Sequence, residues 1–188
     1  MTRYELFLRE TRTYEIIEDV KNFRSEIGVL FLNSYNRDVL TKMFDDNRLT
    51  YTSLFKARPH IFVSKSNPLA KHEVVSLEDL EDFPYLSYDQ GIHNSFYYSE
   101  EILSLRFPIK IHRVSDRATL FNLLIGLDGY TIATGILNSN LNGDNIVSIP
   151  LDIDDEIDIV YLKHEKATLS KMGEKFLDNL VKEVTFDN

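Results

Sequence analysis

Residues 49–65 read LTYTSLFKARPHIFVSK, and the proline at position 59 decides how this long extended stretch is used. Proline has no backbone N–H to give to a ladder, so it sits poorly inside a central strand. The stretch therefore divides into two strands, Thr50 to Ala57 and His60 to Ser64. A strand, a break and a second strand predict that the chain crosses here from one lobe to another. Asn67-Pro68-Leu69-Ala70 then ends the stretch as a turn.

Outward from this crossing, strand-like and helix-like segments alternate, which predicts α/β architecture. Upstream, Tyr4 to Glu10 alternates as a strand. Thr13 to Phe23 carries Ile16, Ile17, Val20 and Phe23 at helical spacing, with Thr13 as its N-cap. Ile27 to Leu32 is a short apolar run, read as a buried parallel strand. Arg37 to Asn47 is a second helix. Downstream, Ser76-Leu77-Glu78-Asp79 resembles a capping box and starts a short helix ending near Phe83. Strands are expected over Pro84–Tyr88, Pro108–Val114, Tyr130–Thr134, Ile146–Leu151 and Ile157–Leu162. Helices are expected over Tyr97–Leu105, from Ser115-Asp116 through Leu127, and over Ser170–Val184. Asn138 to Asn145 reads as a surface loop.

The 188 residues suit one large domain or two small lobes. Hydrophobic residues make up 43% of the chain, enough for a sizeable core. No apolar run is long enough for a membrane span, and the N-terminus carries no apolar signal core. A cytoplasmic location is the expectation. The absence of cysteine removes disulfides, thiol nucleophiles and thiolate metal sites. The five histidines show no HExxH or i, i+4 pairing, so neither a metal nor another cofactor is expected. The net charge of −9 and the lack of a basic block argue against DNA or RNA binding by this chain itself. An acidic chain can still hold a small basic pocket for an anion.

Five segments, in order, resemble the regulatory domain of LysR-type transcriptional regulators. They are IIEDVKNFRSEIGVLFL (16–32), PHIFVSKSNPLA (59–70), VSLEDLEDFPYL (75–86), SDRATLFNLLIGLDGYTIATG (115–135) and LSKMGEKFLDNL (169–180). Each is weak alone; their order and spacing carry the resemblance. Asn67 stands where that family usually has His, Phe23 where Gly is common, and Asp128 interrupts a small-residue run. The family's opening strand and helix, and its winged helix-turn-helix, have no counterpart here, so a part of a longer regulator is expected. The resemblance implies a two-lobed, periplasmic-binding-protein type 2-like α/β fold with two crossover segments, near Arg58 and near Asp155. Lobe I would hold residues 1–58 plus 156–188, and lobe II residues 59–155. It further implies a homodimer pairing lobe I with lobe II, and DNA contact only through the N-terminal domain that is missing here.

In open α/β sheets ligands bind at the carboxyl ends of strands, and helix N-termini there favour anions. In a two-lobed fold that places a small-molecule effector in the interlobe cleft. The residues just after strands are then the candidates: Phe31, Asn33, Ser34, Gln90, Gly91, His93, Ser115, Thr134 and Gly135. Each has a plainer reading. Asn33 and Ser34 suit caps for the helix at Arg37, the Asp89–His93 stretch suits an ordinary loop, and Ser115 suits a cap. Gly135 permits close backbone approach. Arg113 and Arg117 suit either a carboxylate effector or surface ion pairs. The tyrosine-rich Ser95–Glu101 is either a recognition surface or a half-buried helix. No G-x-S-x-G, P-loop or GxGxxG is present, so catalysis is not expected. A solute-binding protein for uptake is the alternative to an effector sensor.

Overall fold

β2 (Leu49–Ala57) and β3 (His60–Ser64), the strands on either side of Pro59, belong to different sheets. The computed structural model describes residues 4–93, 98, 110–137 and 144–186. Before β2 come α1 (Thr13–Lys21), β1 (Gly28–Leu32) and α2 (Arg37–Asp46). After β3 come β4 (Tyr85–Tyr88), β5 (Ile111–Val114), α3 (Arg117–Gly126), β6 (Tyr130–Ala133), β7 (Ile146–Pro150), β8 (Ile157–His164) and α4 (Lys171–Phe186). One sheet has the order β1-β8-β2, the other β5-β4-β6-β3-β7. The chain thus changes sheet twice, at Pro59 and between β7 and β8.

Period-two alternation decides what each face of these strands does. In β3, Ile61 and Val63 enter one core with Tyr85, Tyr130, Ile132 and Ile149. Phe62 points the other way and packs with Leu86, Leu120 and Leu124 beneath α3. On the smaller sheet, Leu30, Leu32, Val160 and Leu162 meet Ile17 and Val20 of α1 and Leu40 and Phe44 of α2. Phe31 and Ile159 project from the opposite face and pack against the core of the larger sheet. That contact joins the two halves and leaves a cleft beside it.

Three expectations are corrected. Residues 4–12 form no strand. The alternation of apolar side chains is there, but a strand requires a ladder partner, and no strand lies beside this segment in either sheet order. Leu6, Phe7 and Leu8 are consequently 56–86% exposed. β1 is not parallel to its neighbour; it runs antiparallel to β8, with Leu30 opposite Val160. A short apolar run reports burial on both faces and does not encode direction. Thr13 is the first helical residue of α1 rather than its cap; Arg12 holds that position with no side-chain capping bond. The Ser76/Asp79 box does form, with Asp79 Oδ2 accepting from Ser76 N and Ser76 Oγ from Asp79 N, over a 3-10 turn at Glu78–Leu80. The Tyr97–Leu105 helix, the Ser95–Glu101 stretch and the Asn138–Asn145 loop lie outside the described residues, except Tyr98, Asp144 and Asn145.

The departures at Phe23 and Asp128 have a shared physical meaning. Phe23, Arg48 and Asp128 all have positive φ, at 57°, 58° and 51°, and each follows a helix. At Phe23 the bonds are those of a Schellman ending: Arg24 N donates to Asp19 O at 2.8 Å and Phe23 N to Val20 O at 3.2 Å. Glycine usually takes this position because it has no Cβ to crowd the left-handed region. Phe23→Gly is therefore expected to raise the denaturation midpoint. The gain is up to about 1 kcal/mol, from relief of the left-handed cost less glycine's chain entropy. A lowered midpoint in urea would show that the Phe23 ring, 4.4 Å from the His164 ring, contributes more than the strain costs.

Candidate effector cleft

A cavity of about 640 Å³ opens between the two sheets. The smaller sheet supplies Val29, Phe31, Ile157 and Ile159. The larger sheet and α3 supply Phe62, Ala133, Thr134 and Phe121. The segment ahead of α1 closes one side through Leu8, Arg9 and Thr11. The walls are thus mostly apolar, with polar groups at a few points, which is the usual make-up of a small-molecule site.

Two of those points stand out by burial. Thr13, at the start of α1, is 6% exposed, and Thr131, in the middle of β6, is 5% exposed. Both line the cavity, from opposite sides. Neither hydroxyl has a hydrogen-bond partner among the described residues. The side chains are enclosed, while their hydroxyl oxygens open onto the cavity. Thr11 differs, since its hydroxyl donates to Glu15. The first turn of α1 also lacks a side-chain cap, so its orphan N–H groups lie next to Thr13.

Of the charged residues lining the cavity, Glu10 is exposed and the two arginines are engaged. Arg9 bridges Asp19 Oδ2 at 2.6 Å and Glu15 Oε2 at 2.9 Å. The Arg117 guanidinium lies 4.8 Å above the Phe121 ring. Tyr130 keeps a neutral phenol, because burial pushes its pKa up to about 12. Asp116 caps α3 by accepting from Thr119 N at 2.8 Å and from Thr119 Oγ1 at 2.8 Å. Those bonds, the backbone one first, hold its carboxyl below the usual range. A depressed folded pKa contributes stability that is complete above the unfolded value of about 3.9 and is lost as pH falls through the lower folded value. Asp116→Asn is expected to remove that acid-side component. Its melting temperature, below the parent's near neutrality, should converge on the parent's on acidification. A constant difference at all pH values would contradict this.

The candidates taken from strand ends fall into separate groups. Phe31 and Thr134 line the cavity. Ser115 lines a smaller neighbouring cavity of about 310 Å³ with Thr11, Arg12 and Asp89. The Asn33 side chain is used locally: its Oδ1 accepts from Tyr35 N and Asn36 N, each at 3.0 Å. Ser34 is exposed, and its N–H reaches Asp155 Oδ1 at 3.4 Å. Gln90 is 2% exposed. Gly91 and His93 form a 3-10 turn that faces Arg12 and Tyr14. Gly135 has φ +81°, and a Cβ there would lie 2.5 Å from His60 Nδ1. Arg113 lies on exposed β5. The strand-end rule overlooked Arg9, Thr11, Thr13 and Thr131. The first three come from a segment without a strand, and Thr131 sits inside one. The signal available for Thr13 was a helix start next to a predicted cleft.

Among the described residues no cluster of His, Asp and Glu could hold a metal ion, and no helix is long and apolar enough to cross a membrane.

Comparison with known proteins agrees with this architecture. The family model for the LysR substrate binding domain matches residues 3–185. The fold is similar to the effector binding domain of QuiR in complex with shikimate, at 18% identity and TM-score 0.61 over 91% of this chain and 77% of that one. It is similar to the BenM effector binding domain with its effector benzoate, at 20% identity and TM-score 0.61 over 95% and 77%. It also resembles HinK, a LysR family transcriptional regulator from Pseudomonas aeruginosa, at 16% identity and TM-score 0.63. There the match covers 94% of this chain and 59% of HinK, so the chain spans less than two thirds of that regulator. No curated protein matches the chain by sequence.

Proposed function

The chain belongs to the LysR substrate-binding domain family, and from that premise we propose that it senses a small molecule in the cleft between its two sheets. The observation that carries this reading is the pair Thr13 and Thr131. Two threonines more than nine-tenths buried, their hydroxyls without partners among the described residues, face a mostly apolar cavity from opposite sides. A ligand with an apolar body and an acceptor group would satisfy both. The uncapped start of α1 and the Arg117 guanidinium at the wall favour a carboxylate as that acceptor.

In the proposed arrangement lobe I holds residues 1–58 and 156–188, lobe II holds 59–155, and closure on the ligand biases their relative position. Two copies pair lobe I with lobe II. DNA recognition rests on a separate domain of a full regulator, and the molecule acts in the cytoplasm without catalysis. A ligand that binds only the folded state stabilises it by about 2.7 kcal/mol at a hundredfold excess over its Kd. A thermal-shift screen of aromatic, alicyclic and aliphatic carboxylates, benzoate and shikimate among them, should therefore yield a saturable rise in melting temperature. Turnover of a hit, or saturable rises only with cationic compounds, would count against the reading.

A further inference from the structure

The loop after β4 reaches from the larger sheet to α1, which packs on the smaller one. Arg12 Nε donates to Asp89 O at 3.0 Å and Arg12 Nη2 to Asp89 Oδ2 at 2.9 Å. Asp89 is oriented by its own loop, because its Oδ1 accepts from Gly91 N at 3.1 Å. Gly91 is what lets the guanidinium approach: φ is +61°, and an added Cβ would lie 2.5 Å from Arg12 Nη1. Two residues on, the His93 ring stacks on Tyr14 with centroids 3.7 Å apart and planes 18° from parallel. The Tyr98 ring sets its edge against both, at 5.9 and 5.8 Å.

These contacts all join the same two parts of the molecule, and they lie beside the cleft, where Thr11, Arg12, Asp89 and Ser115 line the smaller cavity. We propose that Arg12–Asp89 and Tyr14–His93 form a releasable clasp that holds the two sheets in the closed arrangement. The Arg12 and Asp89 side chains are 40% and 37% exposed. An ion pair exposed to that degree is a weak tie, and the half-buried ring stack adds a second modest one. A clasp of this strength shifts a population without locking it. Because a site that is competent only when closed binds with its intrinsic affinity divided by the closed fraction, the clasp would set the affinity of the cleft. In that respect the inference rests on the effector reading; the clasp itself does not.

The chain has no cysteine, so spin labels can be placed at Lys42→Cys on α2 and Ala118→Cys on α3, both exposed, one on each half. Pulsed electron–electron resonance on the ligand-free protein is expected to give one narrow distance distribution. Adding Arg12→Ala with His93→Ala should broaden it and move it to longer distance. Asp89→Asn, which keeps the size of the side chain, should do the same to a smaller extent. Tyr14→Phe, which keeps the stack, should leave it unchanged. Distributions for the double variant and for Asp89→Asn that superimpose on the parent's, with far-ultraviolet circular dichroism unchanged, would overturn the clasp. If the double variant fails to fold, Asp89→Asn decides alone. No ligand enters the measurement, so its failure leaves the thermal-shift result standing, and the reverse holds too.

Discussion

Phe44→Ala is expected to lower the free energy of unfolding by about 3–5 kcal/mol, the range for removing a buried aromatic ring. Phe44 is 0% exposed and lies where α2 meets the smaller sheet, among Leu40, Leu49, Val160 and Leu162. Its ring centroid is 5.7 Å from that of Tyr51. The smaller sheet has only β1, β8 and β2, so few side chains can close over the space the ring leaves. A domain of this size is stable by roughly 5–15 kcal/mol in all, so the variant should lose a large share of its stability while the urea m value stays near the parent's. Urea denaturation followed by circular dichroism would measure it. A loss below about 1 kcal/mol would mean that this sheet is looser than its packing indicates. The consequence reaches the cleft as well, because α1, which carries Thr13, packs on the same core through Ile17 and Val20.

What the amino-acid order could reveal differed from element to element. Pro59 announced a change of sheet because proline acts through covalent geometry, independent of the rest of the fold. Ile61, Phe62 and Val63, and later Tyr130 to Ala133, were legible as strands because both faces are covered and an apolar run is the result. The capping residues Ser76 and Asp116 were legible because a cap is a local bond. Failures came where the outcome depended on a distant partner. Leu6, Phe7 and Leu8 carry a strand's alternation, yet their backbone meets no ladder. β1 lies antiparallel to β8 because of where residues more than a hundred positions later return. Thr131 looks like one more strand residue; only the fold reveals that its hydroxyl meets a cavity instead of a partner. Asn33 sits at a strand end, and its side chain closes its own turn onto Asn36, which is visible only in the folded loop. A rule that selects positions after strands could not separate these two cases.

The pair Thr13→Val and Thr131→Val should separate ligand binding from stability. Each substitution replaces a hydroxyl by a methyl group of similar size. Because neither hydroxyl is bonded within the described structure, its removal breaks no internal hydrogen bond. The variants are therefore expected to melt close to the parent's temperature. Binding should weaken instead. A hydrogen bond to a charged acceptor contributes about 1.5–3 kcal/mol, and about 1.4 kcal/mol is tenfold in Kd. Each single variant should thus weaken a carboxylate effector at least about tenfold, and the double variant about a hundredfold. Isothermal titration calorimetry with any carboxylate that raises the parent's melting temperature provides the test. Unchanged affinity in the double variant would remove both threonines from the site and, with them, the observation on which the effector cleft chiefly rests. Lower stability with unchanged affinity would assign the hydroxyls a structural role instead. The expected combination, weaker binding without loss of stability, is hard to produce by any indirect route, since general loosening of the fold lowers both.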